Sequence, residues 1–228
     1  MKKLILSIIL LGSVAYAGAQ GSIAEYVEKS ISYYQESEQI AYSVLFNIYE
    51  DSIASTPLST DQMHYAKSNN QECILAEGAI MICKDSLLLS VLPEEKVMFL
   101  QRNEASVNQQ YIQQLKRLVN NWDNYTISED PVKQGGEIIY TLIPKTVDEY
   151  SKIELVFDQS TKLLSRSTAW INGIFEVDGI TLKSPKIEVE YTRLLKPEIK
   201  SKDIQDYLNP DLTLKDHYTA YSFYNTIQ

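Results

Sequence analysis

Positive charge is in short supply in this sequence. Lys and Arg number 21 against 30 Asp and Glu in 228 residues, a formal net charge of −9, so a nucleic-acid duplex or an anionic lipid surface would repel the chain. Histidine is scarcer still. His64 and His217 fall in different thirds of the chain with no carboxylate or cysteine at ligand spacing, and read as incidental side chains rather than metal ligands or a general base. The eight glycines form no G-x-G-x-x-G or Walker loop, and Gly135-Gly136 precedes a strand instead of a helix, which makes it a turn. There is no G-x-S-x-G elbow and no H-E-x-x-H. Paired acids are present (Glu94 and Glu95, Glu129 and Asp130, Asp148 and Glu149), but each pair falls in a loop, where adjacent acids form a solvated surface. A glycosidase would need two acids from separate strands facing one cleft, and nothing singles out such a pair. A noncatalytic protein without a cofactor or bound metal is the expectation. Asn124-Tyr125-Thr126 matches a glycosylation acceptor, a pattern frequent by chance.

Long hydrophobic runs are also missing after the first residues. Met1 to Ala19 has the three parts of an export signal: Lys2 and Lys3, the apolar run Leu4 to Leu11, and small residues that allow cleavage after Ala17 or Ala19. The apolar run is much shorter than the roughly 20 residues that span a bilayer, and no cysteine stands nearby to accept a lipid, the first being Cys73. The expectation is a mature chain from residue 20, free of transmembrane segments and exported to the periplasm of a Gram-negative bacterium. Its formal charge falls from −9 to about −11 once Lys2 and Lys3 are removed. With 44% hydrophobic and 22% charged residues, the chain can bury a core. Its one compositional excess is tyrosine, 16 residues, an amphipathic side chain suited to packing and to interfaces.

Export changes how the two cysteines read, because thiols oxidise outside the cytoplasm. Cys73 and Cys83 flank the Glu77-Gly78 turn between two apolar runs, so a hairpin brings them near one another. A cross-strand disulfide and two buried thiols are both open, since a slip of one register sends Cys83 to the opposite face. No C-x-x-C exists.

Two helices and many strands follow from periodicity. Ser22-Ile23-Ala24-Glu25 is a capping-box pattern, and Ile23, Tyr26, Val27, Ile31 and Tyr34 recur at helical spacing over 22–38. From Ile40 the period becomes two through Tyr42, Val44, Phe46 and Ile48. Short strands are expected at 62–68, 73–76, 79–83, 86–92 and 96–101, divided by turn residues as in an antiparallel meander. A second helix is expected from Ser106-Val107-Asn108-Gln109, with Val107, Tyr111, Leu115, Leu118, Val119 and Trp122 along one stripe. Strands resume at 136–143, 151–158, 162–171, 174–177 and 186–195, most sharply where Ile153, Leu155 and Phe157 alternate with Lys152, Glu154 and Asp158. A short helical piece near 203–208 and a tail bearing Tyr218, Tyr221, Phe223 and Tyr224 close the chain. No linker or repeat marks a boundary, so 20–228 reads as one domain of mainly β structure with helices.

Three segments carry a resemblance. The opening helix with strand 40–49, the paired strands Ala79 to Leu100, and the strand, charged turn and strand from Tyr140 through Phe157-Asp158 to Arg166 together resemble the lipoprotein-localisation, LolA-like family of periplasmic outer-membrane lipoprotein carriers. The resemblance implies a curved antiparallel sheet forming a half-open barrel, capped by the N-terminal and central amphipathic helices. It also implies that the inner face holds acyl chains or another apolar partner. On this chain that face would comprise Val44, Phe46, Ile48, Ile153, Leu155 and Phe157, with Trp170 beside them. The partner would be a lipid, an acylated protein or another envelope protein; the alternative is a structural or adaptor subunit of an envelope or secretion assembly, using the fold as a scaffold and its tyrosines as anchors.

Overall fold

The computed structural model describes residues 20–68, 70–103, 112–113, 115–117, 119–128, 132–177, 179–194 and 202–227. The expected signal, 1–19, and the start of the second helix, 104–111, lie outside them. Positions 112–113, 115–117 and 119 are helical, with Ile112 and Leu115 buried. The chain is mostly strand, almost all antiparallel, and folds as two compact units interleaved in sequence. Unit 1 holds the described residues of 20–36, 45–60 and 111–191; unit 2 holds those of 37–44, 61–110 and 192–227. Strands β1 (Gln39–Tyr49) and β14 (Lys186–Arg193) each contribute residues to both.

In unit 1, helix α1 (Gln20–Glu36) buries Ile23, Tyr26, Val27, Ser30, Ile31 and Tyr34, the stripe expected from the sequence with one hydroxyl added. Strands β9 (Glu137–Pro144), β10 (Tyr150–Asp158) and β11 (Leu164–Ile171) form an antiparallel sheet. Residues 186–190 of β14 pair with β11, and the short strands β7 (Tyr125–Ile127) and β8 (Val132–Gln134) pair with β9. Neither short strand is evident from periodicity, because three residues are too few to display a period of two. Asp158 shapes the β10–β11 turn: its carboxylate accepts from the amides and hydroxyls of Ser160 and Thr161, and those hydrogen bonds hold its pKa below the usual carboxylate value. A separate hairpin, β12 (Ile174–Val177) and β13 (Ile180–Lys183), turns at Gly179, whose φ of 79° favours glycine.

Unit 2 is the expected meander: β2 (Ser59–Ser68), β3 (Gln71–Ala76), β4 (Ala79–Lys84), β5 (Leu87–Leu92) and β6 (Val97–Arg102), each antiparallel to the next. The register puts Ala66, Cys73, Leu75, Ile80, Ile82, Leu89, Val91, Met98 and Leu100 on one face. Residues 203–227 then cross that face as an irregular strap of two 3-10 turns, Ile204–Asp206 and Asp216–Tyr218. The strap ends in β15 (Ser222–Asn225), which adds to β6 in parallel. Sequence reading placed a helical piece and a tyrosine tail here, and the parallel strand is new: a four-residue strand carries no period of its own and exists only because the edge of β6 is there to receive it. In neither unit do the described strands pair round into a closed barrel.

Candidate functional site

The face expected to hold a ligand begins on β9 and β10. Cross-strand pairing sets Ile153 against Leu142, Leu155 against Tyr140 and Phe157 against Ile138, and all six side chains are buried. Above them lies α1. The Tyr26 ring sits 5.3 Å from Phe157 and 6.0 Å from Tyr140, centroid to centroid, in tilted arrangements that aromatic quadrupoles favour. Polar ties fix the helix: the Leu164 amide donates to the fully buried Ser30 Oγ at 3.1 Å, and Lys162 pairs with Glu25 at the surface. Leu155 is 3% and Phe157 1% exposed, so this apolar face is packed against its cover.

The other expected residues divide. Val44, 1% exposed, is buried on the unit 2 stretch of β1; Ile48 is buried in unit 1, and Phe46 is half-buried. Ile48 packs with Val177, Leu182 and Phe175 of the β12–β13 hairpin. Trp170 requires a correction. It pairs in register with Lys152, whose ammonium lies 3.6 Å from the centre of its ring, so it occupies the opposite face of the sheet from Ile153 and Leu155. Its indole N–H donates to the Ser52 carbonyl at 3.3 Å, which ties down the 50–58 loop together with the Lys186 to Ala54 hydrogen bond.

The disulfide alternative also falls. Cys73 pairs with Ile82 and Cys83 with Glu72, so the two buried thiols point to opposite faces of the meander and neither forms a disulfide. The register is shifted by one residue from the one in which 73 and 83 oppose. Burial pushes the Cys73 thiol pKa up, with the Lys202 backbone acting the other way; Cys83 accepts a hydrogen bond from Asn103 Nδ2 at 3.6 Å.

A surface depression of about 430 Å³ sits where β1 meets the hairpin, lined by Glu50, Asp51, Ile174, Thr181, Leu182 and Lys183. None of the seven expected ligand residues lines it. Exposed isoleucines stand on the hairpin and the neighbouring loop: Ile53, Ile174 and Ile180. Sequence reading missed this patch because an isolated exposed isoleucine has no pattern to reveal it. Two acids face the depression, but the Asp51 carboxylate is engaged by the Ile53 and Ala54 amides.

Among the described residues, no group of three or more His, Cys, Asp and Glu could hold a metal ion, and Glu72 is the one buried acid. His64 is half-buried, and His217 is exposed and stacks near Tyr218. No helix among the described residues is long and apolar enough to cross a membrane.

No protein-family model matches the chain, and no curated protein matches it. Solved structures do. The chain is similar to a LolA superfamily protein from Nitrosomonas europaea at 15% identity, covering 89% of this chain and 100% of that one with a TM-score of 0.28. It is similar to the lipoprotein LppX of Mycobacterium tuberculosis at 9% identity, covering 75% and 94% with a TM-score of 0.39. A putative outer membrane lipoprotein-sorting protein domain from Vibrio parahaemolyticus matches at 9% identity over 83% and 97%, with a TM-score of 0.28. All three likenesses are distant, at 15% identity or less and TM-scores of 0.39 or less.

Proposed function

We propose that this is a noncatalytic binding protein of the periplasm that shelters an apolar ligand: a lipid, the acyl chains of a lipoprotein, or an apolar segment of an envelope protein. The observation that carries the reading is the cover of the β9–β10 face. The Tyr26 ring of the amphipathic helix α1 packs on Phe157 and Tyr140 of these strands, and the helix is held further by Ser30 and by the surface pair Glu25–Lys162. A helix keeps its own backbone hydrogen bonds when it moves, so lifting α1 orphans none of its own amides and releases only the Leu164 amide that Ser30 holds. The ligand face would then be Ile153, Leu155 and Phe157. Transfer would follow differences in affinity and would need no covalent step. The signal-like first 19 residues support export, and an N-terminus at residue 18 or 20 in protein recovered from a periplasmic fraction would establish it.

Native mass spectrometry of protein taken from envelope extracts tests the carrier reading. Lipid mass retained on the protein and lost in a Phe157→Glu variant that still folds is the expected result. Protein that is empty in every preparation sinks it. A second reading, an adaptor subunit that uses the sheet as a scaffold, is favoured by Ile53, Ile174 and Ile180, which stand exposed near the depression. Crosslinking in envelope extracts separates the two, since stoichiometric protein partners without lipid belong to the adaptor alone.

A further inference from the structure

The strap in unit 2 raises a question that its burial alone does not answer. Ile204, Tyr207 and Leu208 are buried with Cys73, Ile82, Leu89, Val91, Met98 and Leu100, and Phe223 packs beside them. The meander beneath is assembled from adjacent hairpins, each closing over a few residues, whereas the strap reaches it from more than 100 positions away. Local pairings form before distant ones, because closing a long loop costs more entropy. The apolar face and the edge of β6 therefore stand ready before the strap arrives.

The chemistry of that edge decides what can lie there. The Ser222 amide donates to the Lys96 carbonyl at 2.9 Å and the Thr226 amide to the Leu100 carbonyl at 3.0 Å, while Phe223 sits opposite Met98 and Tyr224 opposite Phe99. On the outer face, the Phe99 and Tyr224 rings stack at 5.2 Å, both largely exposed. An acyl chain could cover Met98 and Leu100 but would leave the β6 backbone groups without partners; a polypeptide in extended form satisfies both needs.

We propose that the groove formed by the apolar face of the meander and the edge of β6 is a strand-acceptor site for an extended polypeptide with apolar residues at alternate positions, and that residues 203–227 are its resident, exchangeable occupant. Exchange requires three attachments to release. Ile204, Tyr207 and Leu208 leave the apolar cluster, one end gives up the Lys84–Asp203 ion pair at 2.7 Å and the hydrogen bond from Gln71 Nε2 to the Lys202 carbonyl, both partly exposed, and the other end gives up a four-residue strand. The segment known to fit the groove is the chain's own, so its sequence is the first probe. This site lies in unit 2 and stands apart from the carrier reading: an absence of lipid in native mass spectrometry would leave it untouched.

The test uses the full chain with Val97→Cys and a synthetic peptide of residues 203–228 carrying Ser222→Cys, because 97 and 222 are register partners. Mixed in a glutathione redox buffer, they are expected to form a mixed disulfide that unmodified strap peptide suppresses. The full chain with both Val97→Cys and Ser222→Cys closes in cis and proves that the geometry permits the bond. If that control closes while the peptide is never trapped, the strap is a fixed part of the core and the proposal fails. It fails equally if a scrambled peptide with the same cysteine is trapped to the same extent, or if palmitate suppresses trapping as well as the strap peptide does.

Discussion

Each unit covers an apolar sheet face with a segment from outside that sheet, and the two covers differ in kind. Over β9 and β10 the cover is α1, a 17-residue helix whose backbone is satisfied internally. Over the meander it is the 203–227 strap, whose 3-10 turns and Leu208–Leu214 bridge satisfy only part of its backbone, the rest depending on β6. A helix anchored by Ser30 and by aromatic packing resists local opening through its side chains. The strap resists through Ile204, Tyr207 and Leu208 in the apolar cluster, a strand ladder at one end and an ion pair at the other, so a fault at any of the three should loosen it without disturbing the meander.

The largest effect should come from the helix-covered face. Phe157→Ala removes a ring packed between Tyr26 and Tyr140 and should cost about 3–5 kcal/mol of stability. Urea unfolding followed by tryptophan fluorescence reads it, because Trp122 and Trp170 both belong to unit 1; a loss below about 1 kcal/mol would mean the face is loosely packed.

Next comes the strap. Leu208→Ala, at a 1% exposed position, belongs to the class of substitution that costs about 2–5 kcal/mol. If the strap opens by itself, little of this should register at the unit 1 tryptophans. It should instead speed alkylation of Cys73, buried beneath the strap, while Cys83 on the other face stays protected. Equal acceleration at both thiols would erase the distinction between the covers.

A third change sharpens the comparison from the helix side. Ser30→Ala leaves the buried Leu164 amide without its acceptor, at a cost of about 1–3 kcal/mol. Ser32→Ala, at a half-buried position of the same helix, is expected to cost less, so thermal unfolding of the two variants side by side isolates the orphaned amide.

How much of this could be read in advance follows from what each feature depends on. The α1 stripe, the meander and the β10 alternation were legible because each is written in a local period of 3.6 or 2. Trp170 was misplaced because a strand's face depends on its partner's register: opposite Lys152 it joins the polar side, and the irregularity between Val156 and Phe157 shifts the count. The cysteine alternatives stayed open for the same reason, since one residue of slip in a hairpin decides between them. The strap was opaque for a different one. Tyr207, Tyr218 and Tyr221 gather in a mutual cluster, with ring centroids 5.1 and 5.3 Å apart, on a segment with no period at all, and their packing is fixed only by the face they cross. The tyrosine excess was visible; that part of it serves as a cover was not.

The smallest effect probes the strap's latch. Lys84 and Asp203 are each about one-third exposed, so removing the pair by Lys84→Met should cost no more than about 1 kcal/mol. Its pH dependence is more telling than its size. Burial alone would raise the pKa of Asp203, but hydrogen bonds from Lys84 and from the Gln205 and Ile204 amides outweigh it and hold the carboxyl below its ordinary value. A carboxyl whose pKa is depressed by folding contributes stability above its unfolded pKa, near 4, and loses that contribution as pH falls through the lower folded value. The near-UV circular dichroism of the strap tyrosines should therefore hold steady down to about pH 4 and decline below it. In Lys84→Met the depression shrinks, so less stability is lost below pH 4 and the decline should be shallower. If the two profiles coincide, the ion pair does not hold the strap, and its attachment rests on β15 and the apolar cluster alone.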